Sequence, residues 1–489
     1  MNISFVASEV VPFAKTGGLA DVSGALPIEL TKLGHNVKVF MPKYYSVDEK
    51  EFNLKYESWL GEIPIRVSNK IHNVKIFKGL LDDSKTEIFF IDYPQYFHRH
   101  SLYTNDFDED ERFILFSKAV IELIQRLQIH PDIVHLNDWQ TGLIPLLIKD
   151  NYSWDNYFSK TASVFTIHNI AYQGSFPKET FEKAELNSKH FEIDGEIEHQ
   201  DRVNFMKSGI SFADVITTVS EKYAEELRTP EFSFGMDTVL NYRKDDFYGI
   251  LNGIDETVWH PEFDKYIPHN YSSKSISIKE KNKIEMLNKF NLPYGKNIPV
   301  IGIISRLASQ KGIDLILSSM DYLMTLDIQF VILGTGEHKY EQRLNKIAHD
   351  NPNKVSVNIG YNNELSHLIE AGSDMFLMPS KFEPCGLTQM YSLKYGTIPI
   401  VRNTGGLADT VFDWDDRISR GELDGNGFSF NDYNGYALTD AIERAVYSYH
   451  NKKLWKQLQK NGMETSFTWE VSAKKYISVY KKALKKKNK

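Results

Sequence analysis

Short runs of β-branched and aromatic residues alternate along this chain with longer stretches whose apolar positions recur at helical spacing. That alternation is the pattern of βα units around a mostly parallel sheet, so an α/β fold is expected. The first half predicts strands at 2–7, 36–41, 132–136, 163–167 and 215–219, with helices at 19–33, 111–127 and 202–212. Residues 74–92 alternate like a hairpin and are expected at an antiparallel edge. A segment rich in Ser, Lys, Tyr and His at 262–277 carries no period and follows Trp259-His260-Pro261, so it reads as a linker. Beyond it a second series of strands is expected at 299–304, 329–333, 354–358, 374–378 and 398–401, each followed by a helix. Two parallel sheets, one per half, follow.

The length of 489 residues supports two large domains or about three ordinary ones. With 42% hydrophobic and 25% charged residues the chain has the makeup of a packed globular protein, which excludes extended disorder. Its net charge of −8 removes a global electrostatic case for nucleic acid. The one cysteine, Cys385, allows no intrachain disulfide and no cysteine metal cluster, and a reducing cytoplasmic setting fits. The opening residues lack a basic stretch and their apolar run is broken by Glu9, so they read as a first strand rather than a secretory signal. No apolar run approaches the ~20 residues of a membrane span, so no membrane partner is expected. The lysines at 481–489 follow an amphipathic run at 471–484 and read as a helix end fraying into solvent.

Candidate chemistry gathers at the predicted strand ends. The strand at 299–304 runs into Ser305-Arg306-Leu307, and Lys311-Gly312 opens the next helical stretch. Both cations lie at the carboxyl edge of a parallel sheet, where ligands of open α/β sheets bind, and such a pair suits a diphosphate. After the strand at 374–378 comes Pro379-Ser380-Lys381-Phe382-Glu383-Pro384-Cys385-Gly386-Leu387-Thr388. There Pro384 ends any earlier helix, and Gly386, Leu387 and Thr388 open a new one with free amides. Glu383 stands just before it and suits a sugar hydroxyl or a developing positive charge, while Cys385 reads as a small apolar neighbour.

In the first half, Lys15-Thr16-Gly17-Gly18 follows the first strand directly. The pentapeptide Gly17-Gly18-Leu19-Ala20-Asp21 recurs as Gly405-Gly406-Leu407-Ala408-Asp409, each where a loop hands over to a helix. Paired glycines there let amides approach an anion at a helix start, and the repeat suggests a shared cleft. A Walker motif is absent, and Gly334-Thr335-Gly336 has Lys339 where a dinucleotide fingerprint needs its third glycine. Asp138 and Trp139 close one predicted strand, and His168 and Asn169 close the next. This set suits a sugar: acid and amide for hydroxyls, indole for the ring's C–H face. The acids Asp106, Asp108, Glu109, Asp110 and Glu111 precede a helix and are explained by its dipole, so no catalytic metal is expected.

Taken together, Lys15-Thr16-Gly17-Gly18-Leu19-Ala20-Asp21-Val22, Asn137-Asp138-Trp139-Gln140, Thr166-Ile167-His168-Asn169, Leu251-Asn252-Gly253-Ile254-Asp255, Ser305-Arg306-Leu307 with Gln310-Lys311-Gly312, and Phe382-Glu383-Pro384-Cys385-Gly386-Leu387-Thr388 closely resemble the bacterial glycogen synthases and plant starch synthases. The resemblance spans nearly the whole chain. It implies the GT-B glycosyltransferase fold, two Rossmann-like domains facing a cleft: 1–257 on the acceptor side, 258–465 binding the nucleotide sugar, and a helix at 466–489 crossing back to the first domain. It also implies transfer of glucose from ADP-glucose to the 4-hydroxyl at the non-reducing end of an α-1,4-glucan such as a glycogen primer. The configuration is retained, ADP is released, and no cofactor is needed. By motif position, Arg306 and Lys311 neutralise the departing diphosphate, and Lys15 with Gly18 contacts it from the other domain. Glu383, Asp138 and His168 surround the glucose. Asp21, Asn252, Tyr361 and the backbone of Cys385 to Thr388 complete the donor site.

Related retaining transferases often carry a second glutamate eight positions after the first, where this chain has Tyr391. That favours attack on the same face over a double displacement. Three alternatives stay open at this point: a UDP-glucose-dependent or other retaining glucosyltransferase of the same fold, a phosphorylase, and a non-catalytic glucan-binding protein. A phosphorylase needs a Schiff-base lysine that no motif suggests, and the presence of Lys15, Arg306, Lys311 and Glu383 together argues for catalysis. Oligomeric state is not readable from the residues.

Overall fold

The computed structural model describes residues 1–82, 84–192 and 195–488. The hairpin expected at 74–92 includes position 83 and the lysine tail includes position 489, and both positions lie outside the described residues. The chain forms two compact units, Met1–Gly253 with Trp469–Lys489, and Ile254–Thr468. The crossings therefore fall at 253/254 and 468/469 rather than after 257 and 465. The reason is local pairing: the Ile254 amide donates to Phe467 O at 2.8 Å, so both ends of the second unit are stitched to each other.

Among the described residues the first unit is built on a ten-stranded sheet. Its parallel part runs, in spatial order, Phe247–Gly249, Val215–Thr218, Ala162–Ile167, Ile133–Asn137, Asn2–Val6, Asn36–Pro42 and Glu87–Asp92. These strands are nearly continuous apolar runs because both sheet faces are covered; every residue of Ala162–Ile167 is buried. Lys70–Leu80 pairs antiparallel with Glu87–Asp92, and Lys55–Tyr56 and Ile63–Val67 pair antiparallel with Lys70–Leu80 in turn. The expected edge hairpin is thus present and carries more strands than the alternation at 74–92 suggested. The helix Trp469–Lys487 buries Trp469, Tyr476, Val479 and Tyr480 and packs on the helix Gly18–Lys32 and the strand Ala162–Ile167. Tyr480 seals this contact through its hydroxyl, 2.7 Å from His135 Nδ1 in the sheet core.

One expected helix is shorter than its pattern. Residues 202–212 split into a strand, Arg202–Asn204, and a helix, Phe205–Phe212. Asn204 caps that helix by accepting the Lys207 amide at 2.8 Å, while Val203 pairs with Phe176 and Glu198 in a small antiparallel sheet.

The second unit holds a six-stranded parallel sheet in the order Val355–Ile359, Gln329–Gly334, Val300–Ile304, Met375–Met378, Ile398–Arg402 and Phe428–Phe430. Helices Ile313–Leu323 and Gly435–His450 bury their apolar stripes in one core cluster with the sheet. The segment read as a linker, 262–277, is packed structure of this unit. The Asp264 carboxylate is buried and accepts from His367 Nδ1 at 2.8 Å and from the Tyr395 hydroxyl at 2.5 Å. Tyr271 is also buried and donates to Tyr395 O at 2.7 Å. Polar composition concealed a segment whose polar groups pair with residues far along the chain. Among the described residues no helix is long and apolar enough to cross a membrane.

Candidate active site

Both sheets place their loops by the same rule. In the second unit Val300–Ile304 comes first in sequence, the next two strands add on one side, and Met375–Met378 returns to the other. The loops leaving Val300–Ile304 and Met375–Met378 therefore diverge, and the gap at their carboxyl ends is the usual ligand position in such sheets. Arg306 and Lys311 come from the first of these loops and Glu383 from the second.

Those residues meet. Lys311 Nζ lies 2.6 Å from Glu383 Oε2, with side chains 19% and 8% exposed, and Ser380 Oγ donates to the same oxygen at 3.0 Å. Gln310 ties the loops together: its carbonyl accepts the Lys381 amide at 2.8 Å, and its side chain reaches Phe382 O at 3.5 Å and Arg306 Nη2 at 3.4 Å. Arg306 itself is exposed, a cation on the rim. Gly312 has φ +74, and a Cβ there would stand 2.2 Å from Pro379 O, so only glycine lets Lys311 sit this close to the second loop.

The turn carrying Glu383 rests on the second Gly-Gly pair. The Gly406 amide donates to Glu383 O at 3.1 Å, and Cβ atoms at Gly405 and Gly406 would lie 2.0 Å from Glu383 O and Cys385 O. These glycines are a seat for the turn, which revises the reading of this second pair as a ligand approach. Cys385 is buried, and its carbonyl accepts from Gln389 Nε2 at 3.1 Å. Gly386, at φ +69, leads through Leu387 to Thr388, the first residue of the helix Thr388–Lys394. Tyr361 follows Val355–Ile359 at the same sheet edge and is 87% exposed.

In the first unit the switch lies between Asn2–Val6 and Ile133–Asn137. Asp138 follows the latter strand at φ +55, a conformation that costs energy outside glycine and is concentrated at functional sites. Its carboxylate accepts the His168 amide at 2.7 Å and the Asn169 amide as well. Burial nevertheless pushes the Asp138 carboxyl up to about 7, against those two amides and aided by the nearby Glu9 charge. The Asn137 amide donates to Val6 O at 2.9 Å, so its carbonyl oxygen faces His168 Nε2, 2.9 Å away. Nε2 is then the protonated nitrogen and Nδ1 an acceptor. Burial pushes His168 down to about 3, so the ring is neutral.

The first Gly-Gly pair differs from the second. Cβ atoms at Gly17 or Gly18 would meet nothing within 4 Å, and Gly17 has φ −152, so neither packing nor backbone geometry calls for glycine here. Thr16 and Gly17 are held by the buried Glu9 carboxylate, while Lys15 Nζ pairs with Asp21 at 2.6 Å. Asn252 is buried, and its Oδ1 has no partner among the described residues.

Trp139 is not available as a sugar platform. It is 8% exposed, with Phe113 edge-on at 4.8 Å and Gly174 so close that a Cβ would lie 2.3 Å from the ring. Its position after a strand end suggested exposure, but the indole turns into the core. The acids at 106–111 have partners of their own: Arg99 pairs with Asp106 and Asp108 at 2.8 and 2.6 Å, Glu109 with Arg112 at 2.5 Å, and Lys183 with Asp110 and Glu111 at 3.0 and 3.1 Å. Sequence reasoning missed Glu9, Ser380, Gln310 and Asn137 as supports of the site. Glu9 alone gave a signal, as a charge interrupting an apolar run beside a strand end.

Residues 2–242 match the model of the starch synthase catalytic domain, and residues 285–483 match that of glycosyl transferases group 1. The chain is 44% identical to the glycogen synthase of Thermotoga maritima over 489 residues, covering 99% of each. Against the glycogen synthase of Syntrophotalea carbinolica it is 41% identical over 489 residues, again 99% of each. The catalytic domain of starch synthase IV from Arabidopsis thaliana, solved with ADP and acarbose, superposes with a TM-score of 0.89 at 34% identity, covering 99% of both chains. Sucrose-phosphate synthase from Thermosynechococcus elongatus, at 15% identity and a TM-score of 0.58 over 98% of both chains, shares the fold. The chain has the GT-B glycosyltransferase fold, and it belongs to the glycogen and starch synthase family of glucosyltransferases.

Proposed function

We propose that this glucosyltransferase of glycogen synthesis takes glucose from ADP-glucose and adds it to the 4-hydroxyl at the non-reducing end of an α-1,4-glucan, with retention. The reading is carried by one observation, the Lys311–Glu383 pair at the switch point of the second sheet, with Arg306 beside it. Loss of a diphosphate from C1 of glucose builds negative charge on the leaving group and positive charge on the sugar. Fixed cations at the first and a fixed carboxylate at the second lower that barrier without reorganising solvent. Arg306 and Lys311 take the diphosphate, Lys311 keeping one N–H on Glu383, and Glu383 faces the sugar. The amides of Gly386, Leu387 and Thr388 add dipoles at the phosphates.

The first unit binds the glucan and supplies Lys15 and the Gly18 amide to the diphosphate. It also supplies Asp138 and neutral His168, whose Nδ1 accepts a glucose hydroxyl, with its own Asn169 and Asn252 as further contacts, and the second unit adds Tyr361. With Tyr391 where a second glutamate would stand, attack and departure share one face of the sugar. The first unit binding glucan and the second binding nucleotide are parts of the same proposal. So is action in the cytoplasm.

Initial rates on a glycogen primer with ADP-glucose and with UDP-glucose test the donor: ADP-glucose is expected to be used far faster, and a UDP-glucose preference overturns the assignment. Lys311→Ala and Glu383→Ala are each expected to lower kcat by about 10²–10³-fold, with glycogen binding retained in a sedimentation assay. Unchanged turnover in both removes the site.

A further inference from the structure

We infer that Glu9 is the positioning residue of the Lys15–Gly18 loop: its buried carboxylate takes up the Thr16 and Gly17 amides, leaving the Gly18 amide and the Lys15 ammonium as the groups this loop offers an anion. Four donors converge on the two oxygens of this 3%-exposed side chain. Oε2 accepts the Thr16 amide and, at 3.2 Å, the Gly17 amide. Oε1 accepts the Thr16 hydroxyl at 2.6 Å and the Tyr103 hydroxyl at 2.7 Å. A carboxylate buried with this many donors fixes the geometry of everything it bonds, since each unmade bond leaves a buried polar group unpaired.

The anchor is itself anchored. Ser8 Oγ lies 2.8 Å from the Tyr103 hydroxyl. The neighbouring Leu102 carbonyl accepts from the wholly buried Arg112 at 2.9 Å, and Thr104 Oγ1 donates to Glu109 at 2.6 Å. The loop at 98–108 is therefore a rigid bracket from which Tyr103 holds Glu9. In contrast, Lys15 is held by its own neighbour Asp21, and Gly17 and Gly18 touch nothing on their side-chain faces. One face of the loop is fully pinned and the other is bare, the arrangement of a loop preset for a ligand.

The inference rests on the proposed role of this loop at the diphosphate, and the experiment separates the two. The variants Glu9→Ala, Glu9→Gln, Lys15→Ala and Glu9→Ala/Lys15→Ala are assayed for kcat, donor KM and glycogen KM. Glu9→Ala is expected to lower kcat by about 10²-fold, because loosening a positioned loop forfeits alignment, with glycogen KM unchanged. Glu9→Gln is expected to keep most of the activity, since its carbonyl can accept both amides and its NH₂ can donate to the two hydroxyls. The double variant is expected to lose less than the product of the two single losses, because both changes disturb one loop. Losses that multiply overturn the inference, as does a Glu9→Ala enzyme with full kcat while Lys15→Ala is impaired. If Lys15→Ala turns over normally, the reading of the site falls and this one with it. Should Glu9→Ala not fold, Thr16→Val and Tyr103→Phe, each removing one donor to Glu9, enter the same cycle with the same readings.

Discussion

At the residue scale the two Gly-Gly pairs, identical in sequence, differ in what an alanine does to stability. Gly18→Ala places its Cβ in open space and leaves the fold alone, so the thermal midpoint should hold while ADP-glucose turnover drops. Gly406→Ala drives its Cβ into Cys385 O, so it should lower both the midpoint and turnover by moving the turn that holds Glu383. Differential scanning calorimetry beside a rate assay reads the contrast. The proposed role of Asp138 gives turnover a pH dependence. Its carboxyl is raised to about 7, so the anion forms as pH rises through that value, and kcat/KM should climb across it and level above. The stability sign is the reverse. Between the unfolded carboxylate range near 4 and about 7 the folded state holds a proton that the unfolded state has released, so this group makes stability fall with rising pH. Asp138→Asn should therefore lose the rise in rate and be more stable than the parent above pH 7. His168 stays neutral throughout that range and adds no inflection.

At the element scale the helix Thr388–Lys394 is held from behind by an aromatic stack. Trp259 lies parallel between His367 at 3.8 Å and Tyr391 at 4.1 Å, and Asp264 joins His367 to Tyr395 just past the helix end. Trp259→Ala should destabilise the second unit by about 2 kcal/mol and raise the KM for the donor, while Trp259→Phe restores much of both. Calorimetry and donor-saturation curves check this. Such contacts mark where sequence reading ends. Strands 2–6, 133–137, 162–167 and 300–304 were legible because parallel strands buried on both faces are nearly continuous apolar runs. The strand ends then located Arg306, Lys311, Glu383, Asp138 and His168, since the carboxyl edge follows from strand direction alone. Trp139 was misplaced because a residue's position in a loop does not determine which way its side chain turns. Segment 262–277 was misread because the partners of Asp264 and Tyr271 lie more than a hundred residues away, and local composition does not register them.

At the scale of the whole molecule the second unit is one unbroken stretch, Ile254–Thr468, whereas the first is assembled from two. Ending the chain at Thr468 strips Trp469, Tyr476, Val479 and Tyr480 from the first unit and leaves His135 without its Tyr480 partner. Burying four such side chains is worth about 10 kcal/mol, comparable to the full stability of a domain. The truncated chain should bind a hydrophobic dye and lose one of its two thermal transitions, while a chain of 254–468 alone should melt cooperatively. Both follow from circular dichroism and dye fluorescence.

The split first unit also orders events on the ribosome. Its sheet emerges early, yet the helix that covers strand Ala162–Ile167 is translated only after every residue of the second unit. During synthesis the contiguous unit can finish folding while its older neighbour waits with an apolar groove open to chaperones and to aggregation. A nascent chain stalled just past Thr468 should expose that groove and be less soluble than the full chain.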